Sequence, residues 1–292
     1  RFNMIKKIFQ DNKMFKTIFL APIIIYSLLL ILLPLLYVFF LSFCSNDAYG
    51  SVVYHFTLKN YFDIFNFTYL KILAKSSLIA LIATFLCILI SYPFALVLRE
   101  KSESTKNLMT KLVMIPFLTN SLIRTYGWIV LLRKHGVINE GLLSLGLIDS
   151  PLNLMYNNLG IVIGMTYTLL PFMILPVCAS VFKVDKSLVE ASHDLGAGPI
   201  KTFKNVVFPL TKSGVFNGSI MVFIPAIGYF FIADILGGGK AMIIGNLIKN
   251  QFLTARNWPF GSAISIFLIV ITFLLVKLYQ KLGGDLDELG GM

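Results

Sequence analysis

Long stretches without a charged residue are separated along this chain by short polar segments. Uncharged runs cover Thr17–Asn46, Ser76–Leu98, Ser150–Phe182, Ser213–Ala233 and Asn257–Val276. Each reaches the roughly 20 residues that a helix needs to cross a bilayer. A sixth run, Leu112–Leu132, is interrupted by Arg124 alone. The pattern predicts an all-α integral membrane protein with six transmembrane helices. Helices are required because every backbone amide in lipid must be satisfied within its own segment. A barrel would show short alternating segments, and these runs do not alternate. Between the runs, a short helix is expected around Asn60–Phe67 and another over Gly136–Leu147. The segment Arg99–Lys111 reads as a solvated turn.

Charge adds an orientation. With the amino terminus inside, the inner segments hold sixteen Lys and Arg residues and the outer segments eight. That bias predicts both termini in the cytoplasm, together with the segment around Glu190. It divides the chain into a cytoplasmic segment 1–16, a membrane domain 17–282 with a cytoplasmic loop at 183–209, and a flexible tail 283–292. The basic amino-terminal residues ahead of an apolar run resemble a signal peptide, but the run is long and lacks a small-residue cleavage site, so an anchor is expected. Composition agrees with a membrane protein: 57% hydrophobic, 13% charged, mean hydropathy +0.81. The net charge of +11 is therefore read as topology and attraction to anionic membrane lipid. No nucleic-acid partner is expected, because no basic–aromatic groove appears outside the runs. Three cysteines, odd in number and in or beside spans, imply neither a disulfide framework nor a metal site.

The stretch Glu190–Pro209 is unusual for a membrane-protein loop. Ser187 to Glu190 fits a capping box with Ser187 as N-cap. Gly196 and Gly198 supply backbone freedom, and Pro199 is placed to open a second helical piece. Ile200, Phe203, Val206 and Val207 then recur at helical spacing, giving the second piece an apolar face. An amphipathic helix resting on lipid would account for such a face. The residues themselves point elsewhere, because Glu190, Ala191, Gly196, Ala197, Phe203 and Pro209 fall in the pattern of the EAA loop. The chain thus resembles the permease subunits of ABC importers, with Ser192 and Phe208 as departures from the usual residues. The resemblance implies a six-helix MetI-like bundle whose loop docks as a coupling helix on a cytosolic ATPase. It also implies a second homologous permease subunit, two ATPase subunits and an extracytoplasmic binding protein, with ATP and Mg on the ATPases and no cofactor on this chain.

Two further stretches narrow the resemblance. Pro116–Gly127, and Gly245-Asn246 with Asn257–Ala263, are similar to spermidine/putrescine permease subunits, more to the B-type than to the C-type. The cargo implied is a polyamine, and the binding protein a polyamine-binding protein; an iron, thiamine or other solute importer, or a secondary transporter, is the alternative. No constellation for covalent chemistry is present, so an enzyme is not expected: His55, His135 and His193 are scattered over different loops.

Charges inside spans are costly unless they face protein or water. Arg124 reads as a tether bonding carbonyls or a carboxylate on a neighbouring helix, or as a wall of the translocation path. Asp234 follows Tyr229 and Phe230 at the outer end of a span. A carboxylate beside aromatic faces suits a flexible polyammonium ion, each cation–π contact contributing about 0.5–2 kcal/mol. The same Asp234 would equally serve as a cap where the glycines at 237–239 break the helix. Tyr167, Tyr126 and Asn120 are further candidates for the path.

Overall fold

The computed structural model describes residues 13–47, 49–239 and 241–281. The expected tail 283–292 and most of the amino-terminal segment 1–16 lie outside these described residues. Helix α1 (Lys13–Ser27) passes through a π turn at Leu28–Leu32 into α2 (Leu33–Leu41). A two-residue antiparallel hairpin follows, β1 (Ser45–Asn46) with β2 (Val52–Val53), and then α3 (Lys59–Ile64). The long α4 (Phe67–Arg99) is succeeded by α5 (Glu103–Met114), α6 (Ser121–Leu132) and the short α7 (Val137–Ser144). Next come α8 (Asn158–Phe182), α9 (Lys186–Asp194), α10 (Pro199–Thr202) and α11 (Phe208–Gly228). The last elements are α12 (Phe230–Gly237), α13 (Ile244–Leu253) and α14 (Trp258–Lys281).

Among the described residues, five helical segments are long and apolar enough to cross a membrane: Leu20–Leu41, Phe67–Arg99, Asn158–Phe182, Pro199–Gly228 and Trp258–Leu278. The sixth expected span, 112–132, is not one helix. It falls across α5 and α6, of 12 residues each, or about 18 Å apiece against a hydrocarbon core of about 30 Å. Between them Ile115–Leu118 tightens into a 3₁₀ turn around Pro116, and Thr119 is extended at φ −88°, ψ 156°. Proline has no donor for the ladder, and Asn120 restarts the helix by accepting the Leu122 N–H at 2.8 Å. The segment 99–111, expected as a solvated turn, is mostly α5, opened by Ser102 as N-cap. The two expected short helices are present as α3 and α7.

The chain divides into two units, Arg1–Ile64 with Asn250–Ile269, and Phe65–Lys249 with Val270–Met292. In the first, the Asn60 amide donates to the carbonyls of Ser42 (3.1 Å) and Cys44 (2.8 Å), groups left open where α2 ends. In the second, α8 is the central element and packs on α4, α11 and α12. Ile161, Met165, Leu169, Met173, Val177 and Val181 recur every fourth residue and are all fully buried. A four-residue repeat drifts about 40° per step on a 3.6-residue helix, so this stripe winds around α8 and serves several neighbours. Gly214 and Gly218 let α11 approach closely, as small residues four apart do between membrane helices. A Cβ would lie 2.5 Å from the Pro176 carbonyl at Gly214 and 2.5 Å from the Met173 sulfur at Gly218.

Candidate functional site

Asp185, not Ser187, opens α9: its Oδ1 accepts the Ser187 N–H at 3.0 Å. The helix begins earlier than the capping-box reading placed it, because a carboxylate is the stronger acceptor and favours the positive helix end. The Ser187 amide and hydroxyl, with Arg99 nearby, hold the Asp185 carboxyl below the usual carboxylate range. Glu190 is left exposed, one turn into the helix, and Ala191 beside it is exposed too. Gly196 closes α9 in the left-handed conformation, φ +79°. Its N–H bonds the His193 carbonyl (2.9 Å) and the Ala197 N–H bonds that of Ser192 (3.0 Å), a Schellman closure. Gly198 then caps α10.

The second helical piece is not separate. From Pro199 the chain is helical without a break to Gly228, and Pro209 lies inside that run. The π turn at Phe203–Val207 makes this possible: the Phe208 N–H reaches back to the Phe203 carbonyl, widening the helix just ahead of the proline ring. The expected apolar face is split between two directions. Ile200 (82% exposed) points outward with Leu195 (88%), whereas Val207 is buried and the Phe203 ring packs edge-on against Tyr92 of α4 at 5.4 Å. Tyr92 also bonds the Thr211 hydroxyl. Ser192, a departure from the motif, has its hydroxyl 3.0 Å from that of buried Thr202, joining α9 to α10 across the glycine.

Sequence reasoning missed Arg99. It is 7% exposed, and its guanidinium donates to the Val184 carbonyl at 3.2 Å. The end of α4 is thereby fastened to the base of the 183–209 segment. Its one visible signal is position, a single arginine closing a long apolar run where the polar segment starts.

At the far end of α11 the helix stops at Gly228. Tyr229 takes φ −76°, ψ 63°, and α12 restarts at Phe230. Tyr229 packs on Phe231 with centroids 4.7 Å apart. The start of α13 presses into this break: a Cβ on Gly245 would lie 2.4 Å from the Gly228 carbonyl. Next to it, the buried Asn246 donates to the Phe230 carbonyl at 3.1 Å and to Asp234 Oδ1 at 2.5 Å. The other carboxylate oxygen takes the Lys249 ammonium at 2.5 Å. The same ammonium lies 5.8 Å from the Phe230 ring centroid. The structure thus brings Tyr229, Phe230 and Asp234 together, and adds Asn246, marked in the sequence only as part of a resembling stretch, and Lys249, which sequence reasoning did not single out.

The remaining candidates form a second group, only in part. Arg124 makes no bond to a carbonyl or carboxylate among the described residues, contrary to the tether reading. Its guanidinium lies 5.9 Å from the Phe117 ring and 5.9 Å from the Tyr167 ring, and its buried Nε has no partner. Tyr167 in turn meets Trp128 at 5.2 Å. Arginine's weakly hydrated, planar cation stacks on aromatic faces where an ammonium would need oxygen ligands, which explains the substitution of rings for carbonyls. Tyr126 points away, 58% exposed, and Asn120 is used as the cap of α6.

No family model matches the chain. The spermidine/putrescine transport system permease protein PotB of Haemophilus influenzae is 40% identical over 270 residues, covering 92% of this chain and 94% of the relative. The PotB of Escherichia coli is 41% identical over 262 residues, covering 90% and 95%. Among solved structures, a chain of a bacterial alginate ABC transporter in complex with an alginate-bound periplasmic protein superposes with a TM-score of 0.72. Its identity is 14%, with 91% of this chain and 92% of that one covered, which shows a shared fold. An EAA segment continuous with a membrane-length helix, the ABC-transporter fold and near-full-length identity lead to one assignment: this multi-pass membrane protein belongs to the family of PotB-type permease proteins of spermidine/putrescine transport systems.

Proposed function

We propose that this chain forms half of the translocation path of an ATP-driven polyamine importer in a bacterial inner membrane. The observation that carries the reading is the 183–209 segment. It presents an exposed helix closed by Gly196, then enters a helical run of 30 residues, Pro199–Gly228, that contains the π turn. Exposed Leu195 and Ile200 offer an apolar face to a groove on a cytosolic ATPase. ATP and Mg belong to two such ATPase subunits, and this chain contributes no catalytic group. A second homologous permease completes the path, and an extracytoplasmic polyamine-binding protein delivers the cargo.

In this mechanism ATP closes the ATPase dimer and carries Glu190–Pro209 with it. The spans re-orient, and hydrolysis restores the inward-facing state. Each ligand shifts that equilibrium only by its differential affinity for the two states. Both termini lie in the cytoplasm, and 103–132 supplies a sixth crossing as a broken helix, its bend at Thr119–Asn120 turned toward protein or water. Asp234, Tyr229 and Phe230 form the polyamine-contacting part of the path. Arg124, with Tyr167, is a structural intramembrane charge, while Asn120 and Tyr126 line the path only through contacts that the paired permease completes.

The test is labelled-spermidine uptake into proteoliposomes holding this chain with its paired permease, ATPase and binding protein. Uptake that requires ATP and this chain, and is competed by putrescine but not by iron or thiamine, is expected. ATP hydrolysis without spermidine uptake in an assembled complex would overturn the cargo and keep the permease.

A further inference from the structure

A subsite offered to a cation should present a free carboxylate, yet Asp234 is already occupied. Its occupant is informative. The Lys249 side chain is four methylenes ending in an ammonium, chemically the aminobutyl arm of putrescine and of spermidine. It sits as such an arm would sit, 2.5 Å from Asp234 Oδ2 and 5.8 Å from the face of Phe230.

The two carboxylate oxygens are held unequally. Oδ1 faces the Asn246 amide, which is pinned by its bond to the Phe230 carbonyl and by the Ile243 N–H on its own oxygen. Oδ2 is held by a flexible side chain that remains 29% exposed, while Asp234 itself is 36% exposed. One oxygen is therefore fixed by the fold, and the other is exchangeable from solution.

We infer that Lys249 is a tethered surrogate of the substrate, holding the Asp234 subsite while the path is empty and yielding it to the aminobutyl ammonium of an incoming polyamine. The inference rests on the reading of Asp234 as a path residue. Displacement leaves the charge count unchanged at Asp234, and the freed lysine keeps its ammonium in water while its stem stays on apolar surface. A tethered ammonium competes at the millimolar effective concentration typical of short linkers. Potassium or sodium, with one charge and no aromatic contact, gains too little to expel it. A diammonium ion gains a second contact elsewhere in the path as it displaces the first. Lys249 thereby trades affinity for selectivity.

The experiment is equilibrium binding of labelled putrescine to the complete complex in nanodiscs, without the binding protein. Lys249→Met is expected to bind putrescine about tenfold more tightly, because apparent affinity is reduced by the fraction of sites already occupied. That variant should also become sensitive to competition by potassium. Asp234→Asn should weaken binding by at least about tenfold. In the unmodified complex, acetylation of Lys249, normalised to the other lysines and read by mass spectrometry, should rise severalfold when putrescine saturates the site. Weaker binding by an assembled Lys249→Met complex, or unchanged or reduced Lys249 acetylation with putrescine bound, would overturn the surrogate while leaving Asp234 in the path. Asp234→Asn that binds normally would remove the path reading itself. If Lys249→Met does not assemble, the acetylation result decides.

Discussion

Ser192 occupies the position where the EAA pattern asks only for a small side chain, and its hydroxyl does more than fit. It lies 3.0 Å from the hydroxyl of Thr202, which is 3% exposed, so the two helices flanking Gly196 share a polar contact. Ser192→Ala is expected to cost about 1–3 kcal/mol, the price of leaving a buried hydroxyl short of a partner. Adding Thr202→Val should recover much of that loss. A double-mutant cycle on thermal unfolding of the assembled complex reads the difference, and strictly additive losses would show that the two hydroxyls are energetically independent. Such pairings are what the sequence conceals. Ser192 was legible as a size substitution and Asp234 as an unusual charge, but their partners stand 10 and 15 residues away on other elements. Only the packing angle of those elements brings them into reach.

At the scale of elements, two prolines are accommodated in the same way. Pro34 and Pro209 each follow a π turn, at Leu28–Leu32 and Phe203–Val207, whose closing amide bonds five residues back. The wider turn relieves the clash between the ring and the preceding carbonyl, so the helix continues past each proline. Pro116 meets a 3₁₀ turn and an extended residue instead, and there the helix ends. All three prolines are visible in the sequence, and their different outcomes are not, because neighbouring helices decide which freed carbonyls can be satisfied. The apolar runs were legible, since burial in a membrane bundle is written in residue type, whereas the buried stripe of α8 was not singled out in a helix that is apolar nearly throughout. Gly196 was legible too, and its φ of +79° states its task. Gly196→Ala should cost roughly 1–2 kcal/mol locally and lower the spermidine moved per ATP hydrolysed, with membrane insertion unchanged. Gly196→Asn, which tolerates that conformation, should retain more of the ratio. Proteoliposome stoichiometry compares the two, and equal coupling in all three proteins would show that the joint's backbone angle is immaterial.

At the scale of the whole molecule, five long helices among the described residues leave a topological question, and the proposed sixth, broken crossing at 103–132 gives it a testable answer. Cys44, Cys87 and Cys178 are all buried, giving a quiet background for single introduced cysteines. Lys101→Cys and Ser187→Cys should react with impermeant thiol reagents only from the cytoplasmic side, and Tyr49→Cys and Ser144→Cys only from the opposite side. Labelling of positions 144 and 101 from one side would mean that 103–132 does not cross. The inside excess of basic residues predicts the first result. The unbroken Pro199–Gly228 run has a mechanical meaning as well. Thirty helical residues make a rod of about 45 Å, and a tilt of about 5° at one end sweeps the other by about 4 Å. The backbone leaves the helical conformation just beyond its two ends, at the left-handed Gly196 and at Tyr229. Such a rod would act as a lever, and past Tyr229 the chain enters the helix that carries Asp234. In the proposed importer, displacement of the 183–209 segment would therefore reach the helix of Asp234 through a single unwound residue, Tyr229.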